Sequence, residues 1–183
     1  MSRIPTPPTV EAAPAAAQPL LEAVGKQLGT VPNMFRVIAN SAAALEGHLG
    51  LFGALGKGTL GAQTGTRIAL AVAEINGCDY CLSAHTYLGK QLAKLDDAEM
   101  TANRNGRSND PKADAAVRFA AKVARERGRV SNDDVNAVRA AGYTDAQIVE
   151  ILEHVALNVW TNYLNIAADT EIDFPVVRAR VHG

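Results

Sequence analysis

Cysteine and histidine are the residue types here whose spacing could do chemistry. The chain has two cysteines, Cys78 and Cys81, and His85 follows four positions after the second, in the run Asn76-Gly77-Cys78-Asp79-Tyr80-Cys81-Leu82-Ser83-Ala84-His85. A cysteine in the first turn of a helix sits at the positive end of the macrodipole, near unpaired backbone N–H groups, and both favour thiolate over thiol. CxxC thiols at such positions ionise below the free value of about 8.5. A thiolate can attack the O–O bond of a peroxide to give a sulfenic acid, which a second thiol three residues away converts to a disulfide. An imidazole one turn beyond Cys81 can accept its proton or relay one to the departing group.

Cys78, Cys81, His85, Leu88, Leu92 and Leu95 step along the chain by three and four. That spacing predicts a helix from about Cys78 to Ala93 with thiols, imidazole and leucines on one inward-facing stripe. Other readings of the same residues stay open. Cys78, Cys81 and His85 could be part of a zinc site completed by His48 or His154, although a second ligand cluster is missing. They could also be buried thiols with no reaction to perform. His48 and His154 lie near apolar helical faces and read as core or interface histidines; His182 is in the tail and carries no argument.

The elements that must position these residues are all helical. Before the thiols, Ile68-Ala69-Leu70-Ala71-Val72-Ala73 is apolar on every side, which marks a buried central helix from about Gln63 to Ile75, stopped by Asn76-Gly77. Further helices are expected in the second half of 10–28, over 33–39, and after Ser41 with a stripe through Leu45, His48, Leu49, Phe52 and Leu55. A short helix over 96–102 leads into a polar surface loop holding Asn103, Asn105, Gly106, Ser108, Asn109 and Pro111. Helices over 112–127 and 132–141 follow, with Ser131 and Thr144 as caps, and then a long last helix carrying Ile148, Ile151, Leu152, Val155, Val159, Asn162, Tyr163 and Ile166. Residues 1–9 hold three of the eight prolines and read as an extended arm, and 170–183 as a tail. The expectation is one all-α domain over 1–183, with alanine-rich helices closely packed.

Composition excludes several classes of function. A net charge of -1 gives no electrostatic case for nucleic acid or an anionic membrane surface. No window approaches the eighteen or so uninterrupted apolar residues of a membrane span. The proline-interrupted start lacks a signal core, so a cytoplasmic location is expected. There a CxxC pair is more often redox-active or metal-binding than structural. As a staple it would contribute little, roughly 2 kcal/mol for so short a loop against about 4.7 for a 100-residue loop.

The run from Ile68 to His85, with its NGCxYCxxxH core, resembles the carboxymuconolactone decarboxylase superfamily and more narrowly its AhpD-like, peroxidase-related branch. Gly29-Thr30-Val31-Pro32-Asn33-Met34-Phe35 resembles that branch's VPNxF-type segment, and Thr170-Glu171-Ile172-Asp173-Phe174-Pro175 its closing motif. The resemblance implies an AhpD-like helical bundle with CxxC at the start of a buried helix, assembled as trimers or hexamers. It implies a peroxidase that reduces hydrogen peroxide or organic hydroperoxides, re-reduced by a lipoyl or thioredoxin-like dithiol. Cys81 would be the attacking thiolate, Cys78 the more accessible resolving thiol and His85 part of the proton relay. No cofactor is expected. Alternatives of the same family are a disulfide reductase recycling a peroxiredoxin, and a lactone decarboxylase; a non-enzymatic helical oligomer holding a structural metal is another. One position departs: members with this relay commonly carry a glutamate twelve residues before the first cysteine, where this chain has Thr66. A hydroxyl cannot serve as a carboxylate base near neutral pH. Glu74 is the nearest substitute, unless it is an exposed helix-end glutamate.

Overall fold

The computed structural model describes residues 2–180, so His182 lies outside the described residues. Among them every regular element is helical: α1 (Gln18–Leu28), α2 (Asn33–Ile38), α3 (Ala42–Leu55), α4 (Ala62–Ile75), α5 (Asp79–Gln91), α6 (Asp97–Arg104), α7 (Pro111–Arg125), α8 (Asn132–Ala140) and α9 (Asp145–Ala168), with one 3-10 turn at Ala15–Ala17. The caps follow side-chain chemistry. Ser41, Asp96, Asp110, Ser131 and Thr144 each accept a hydrogen bond from the third backbone N–H of the helix they start. Ser131 and Thr144 complete reciprocal capping boxes with Asp134 and Gln147.

As its composition predicts, α4 is the centre of the bundle. Ile68 and Val72 pack with Phe119 of α7 and Ile151 and Val155 of α9. Its other side turns Leu70 and Ala73 toward Leu82 of α5 and Met100 of α6. Burying one such large aliphatic side chain contributes about 1.5–3 kcal/mol, so the helix that delivers the chain to the cysteines is also its most firmly held. Among the described residues no helix is long and apolar enough to cross a membrane.

Two expectations are corrected. The inward stripe does not reach Leu92, which is 70% exposed. α5 ends at Gln91, and the chain then turns through Lys94 at φ 54, a left-handed conformation that breaks the helical spacing. Leu95 is buried, but beyond the end of α5, in the cluster that holds Leu82 and Met100. Asn103 is not in a surface loop either. α6 runs on to Arg104, and the Asn103 amide, fully buried, donates to the Glu99 carboxylate and to the carbonyl of Arg107.

Candidate active site

Local backbone chemistry sets the thiols at a helix start. Gly77 has φ 68, a conformation that a side chain strains and glycine adopts freely. It closes α4 with bonds from Gly77 N–H to the Glu74 carbonyl and from Cys78 N–H to the Ala73 carbonyl, the pattern of a Schellman end. The next residue, Cys78, is already the N-cap of α5, and its sulfur accepts the backbone N–H of Cys81 at 3.2 Å. A sulfur therefore occupies the place a serine hydroxyl or aspartate takes at the other caps, where donated N–H bonds and the helix dipole favour negative charge. The two sulfurs are joined as a disulfide, with Cα atoms 5.3 Å apart, inside the usual span.

Neither sulfur is exposed: Cys78 is 1% and Cys81 3% accessible. The resemblance led us to expect Cys78 to be the more accessible, and by surface area it is not. What distinguishes it is a cleft of about 270 Å³, lined by Cys78 together with Arg3, Asp79, Asn165, Asp169 and Arg178 among others. A larger cavity of about 370 Å³ lies between α1 and α3, and no sequence-predicted site residue lines it.

His85 lies one turn past Cys81 on α5. Burial pushes its imidazole down to about 4, while a hydrogen bond with Asn158 opposes the shift; near neutral pH the ring is neutral. Asn158 Nδ2 donates to the carbonyl of His154, which leaves its Oδ1 as the atom that faces an imidazole N–H. Asn158 belongs to a polar row on α9 that also includes Thr161, Asn162 and Asn165, all buried. Asn162 accepts from the Asn76 amide just ahead of the cysteines, and Asn165 Nδ2 lies 3.4 Å from the Cys81 sulfur. Sequence reasoning missed this row apart from Asn162. Its signal was there: four small polar residues spaced i, i+3, i+4 and i+7 in the otherwise largely apolar second half of α9.

The two carboxylate questions resolve differently. Thr66 spends its hydroxyl on the carbonyl of Ala62 in its own helix and supplies no base. Glu74 is not an exposed helix end: it is 7% accessible. Its two oxygens accept from the Arg104 guanidinium and from the backbone N–H of Arg180. Among the described residues it has no hydrogen bond to His85 or to either cysteine. Its carboxylate ties α4 to α6 and to the tail.

That tail is fastened along the cysteine helix. Asp79 accepts from the Ala179 N–H and the Arg178 guanidinium, and Ser83 bonds Val177. The Tyr80 hydroxyl donates to Asp173, whose second oxygen accepts the Asn33 N–H, and the same hydroxyl accepts from Met34 N–H. Burial, above all, holds the Tyr80 phenol far above its ordinary range, so it stays a donor. The Val31-to-Phe35 segment and the Asp173-Phe174-Pro175 motif thus meet on Tyr80, one of the two residues between the cysteines, and Ile172, Phe174 and Val177 pack against the sulfur-containing cluster.

The zinc reading finds no support in this arrangement. Among the described residues no group of three histidine, cysteine, aspartate or glutamate side chains is placed to hold a metal ion. His48 sits among the rings of Phe35, Phe52 and Trp160, and His154 fills the space left by Gly65, where a Cβ would lie 2.8 Å from its ring. His48 has no hydrogen-bond partner on either nitrogen, and burial pushes it down to about 4. The folded state resists its protonation while the unfolded chain accepts a proton near 6.5. Its contribution to stability is therefore complete above that value and lost as pH falls toward 4. Replacing it, His48→Phe, is expected to recover about 2 kcal/mol of the stability lost between about pH 7 and about pH 4.5, read by urea unfolding at the two pH values.

Residues 41–126, which include both cysteines and His85, match the carboxymuconolactone decarboxylase family. No curated protein matches the chain. Among solved structures it is similar to an uncharacterized peroxidase-related protein with an alkylhydroperoxidase AhpD core from Ralstonia eutropha JMP134, at 24% identity and TM-score 0.83, covering 94% of this chain and 92% of that one. A peroxidase-related protein from Silicibacter sp. TM1040 gives 24% identity and TM-score 0.81 over 93% and 91%. The debrominase Bmp8, in a variant complexed with 2,3,4-tribromopyrrole, gives 20% and 0.76 over 92% and 90%. At these identities the structural likeness speaks to fold. The match to the carboxymuconolactone decarboxylase family thus spans residues 41–126, and the fold of the chain is AhpD-like.

Proposed function

We propose that this protein is a dithiol peroxidase that reduces a small hydroperoxide through a Cys78–Cys81 cycle. The observation that carries the reading is the cap: a CxxC pair already bonded, with the Cys78 sulfur on the Cys81 N–H at the buried first turn of α5. In the reduced protein the Cys81 thiolate attacks the peroxide. An S–O bond forms, the O–O bond breaks, and sulfur gives up two electrons to release an alcohol or water. Cys78 then attacks the sulfenic sulfur, forming the S–S bond and releasing water. His85, neutral near pH 7, takes the thiol proton and returns it to the leaving oxygen. Asn158 orients that ring in the role a carboxylate fills elsewhere in the branch.

The cleft argues for the size of both reactants. At about 270 Å³ it is below the usual range of about 300–1,000 Å³ for drug-sized ligands, and of the two cysteines Cys78 lines it. It suits a hydroperoxide better than the disulfide of a folded partner, and a slender lipoyl arm better than a thioredoxin-like surface. A homo-oligomer fits the rest of α9, whose outer side exposes Val149, Leu152, Trp160, Tyr163 and Ile166 at helical spacing. Turnover is the discriminating measurement. With a lipoyl dithiol as donor, hydrogen peroxide or an alkyl hydroperoxide should be consumed at least about tenfold faster than an oxidised peroxiredoxin is reduced. The reverse order would make the protein a disulfide reductase.

A further inference from the structure

We propose that Asn165 is a catalytic residue of the peroxide-reducing step: its amide N–H holds the Cys81 sulfur as a thiolate, and its carbonyl oxygen accepts the O–H of the incoming hydroperoxide. The substrate half of this inference rests on the peroxidase reading; the sulfur half rests on geometry alone.

Asn165 is in the last turns of α9 and is 3% exposed. Its Nδ2 makes two contacts, to the carbonyl of Thr161 at 2.9 Å and to the Cys81 sulfur at 3.4 Å. A primary amide has two hydrogens, so both are used, and the Thr161 carbonyl fixes which end of the side chain is nitrogen. The other end follows. Oδ1 is buried and has no hydrogen-bond partner, an arrangement that folded proteins avoid unless something else uses the acceptor. Asn165 also lines the cleft together with Cys78. One planar amide therefore gives its donor to the sulfur that must be nucleophilic and keeps a vacant acceptor, on a residue that lines the cleft a substrate must enter.

A hydroperoxide offers one O–H donor, on the terminal oxygen. Held by Asn165 Oδ1, that oxygen is brought next to the sulfur bonded to the same side chain. As the S–O bond forms, the O–O bond breaks and sulfur supplies two electrons. The proton that Cys81 gave to His85 goes to the leaving alkoxide, so the sum is one thiol and one hydroperoxide giving a sulfenic acid and an alcohol. An N–H bond to the thiolate is charge-assisted and stronger than one to the thiol or to a disulfide sulfur. The contact thus strengthens in the form that reacts.

The test titrates Cys81 in the Cys78→Ser background, where thiolate absorbance reports this one sulfur, with Asn165 intact, Asn165→Ala or Asn165→Asp. Loss of the donor should raise the titration midpoint in both variants, by about one pH unit for Asn165→Ala, a tenfold loss of thiolate below it. At a pH where Cys81 is fully ionised in every protein, Asn165→Ala should still react with hydrogen peroxide at least about tenfold more slowly in a single turnover, because the acceptor is gone. An unchanged midpoint in both variants, or equal peroxide rates at equal thiolate, overturns the proposal. If Asn165→Ala does not fold, the side-chain amide resonance of Asn165 in the wild type decides: it should shift at the pH where Cys81 titrates, and invariance refutes the contact. Should the wild type prove inert to peroxide while the midpoint moves as expected, the peroxidase reading and the substrate half fail, and the sulfur half stands.

Discussion

Replacing Cys81 by serine is expected to lower peroxide consumption by more than about a thousandfold, to the uncatalysed background. A hydroxyl keeps the shape and the helix position but is not ionised near neutral pH, and oxygen cannot take up the peroxide oxygen and its two-electron change as sulfur does. Cys78→Ser should behave differently. It leaves the nucleophile in place and removes the resolving thiol, so one peroxide is reduced and the protein stops as a sulfenic acid, open to further oxidation. Steady-state peroxide loss and intact mass, measured together on the two variants, check both halves. Full activity in Cys81→Ser would remove that residue from the mechanism. A lactone decarboxylase would keep its activity in Cys78→Ser, so that variant also separates the two chemistries within the family.

The largest effect on stability should come from Glu74→Ala. The Glu74–Arg104 pair is buried, the arginine side chain being 15% exposed. Removing one partner of such a pair strands the other charge, a loss of about 3–5 kcal/mol. For a chain of this length each kcal/mol lowers Tm by about 2–4 °C, so thermal unfolding should come about 6–20 °C earlier. The same substitution unhooks the Arg180 N–H. Arg104, which also donates to the Arg178 carbonyl, would then be left as the anchor on that side of the tail. Glu74→Gln separates structure from catalysis. It keeps the shape and an acceptor, so its peroxide rate should stay within about threefold of wild type. A hundredfold loss with little change in Tm would instead give Glu74 the carboxylate role that the sequence suggested for it.

Much of the frame could be read from the residue string, for physical reasons that are easy to name. An apolar run with no polar side, 68–73, has nowhere to go but the centre. Asn76-Gly77 has to stop that helix, because Gly77 takes a left-handed conformation. Ser131 and Thr144 announced their helices by cap chemistry that is local to four residues. One error arose where periodicity was carried past the point at which the backbone broke it, and another where Asn103 was read as loop although α6 runs on to Arg104. Nothing around Leu92 resembles a stop, and Lys94 adopts its positive φ without being glycine. The site was legible only along its own helix. The segment from Cys78 to His85 is continuous in sequence, but its partners come from about seventy to a hundred positions away: Asn158 to His85 and Asn165 to Cys81 from α9, Asp173 to Tyr80 and Arg178 to Asp79 from the tail. An asparagine in a helix ordinarily reads as an exposed position. That four small polar residues of α9 face inward depends on how the helix is rotated against α4 and α5, which is a tertiary property. Glu74 shows the same limit: sequence gave its distance from Cys78 but not the arginine waiting on α6.

The central claim is that Cys78 and Cys81 act as one redox unit, and mass spectrometry after a single stoichiometric dose of hydrogen peroxide to the fully reduced protein tests it most directly. An intramolecular Cys78–Cys81 disulfide, two hydrogens lighter than the reduced chain and reversed by a lipoyl dithiol, is the expected product. Two unreacted thiols under the same dose would contradict it.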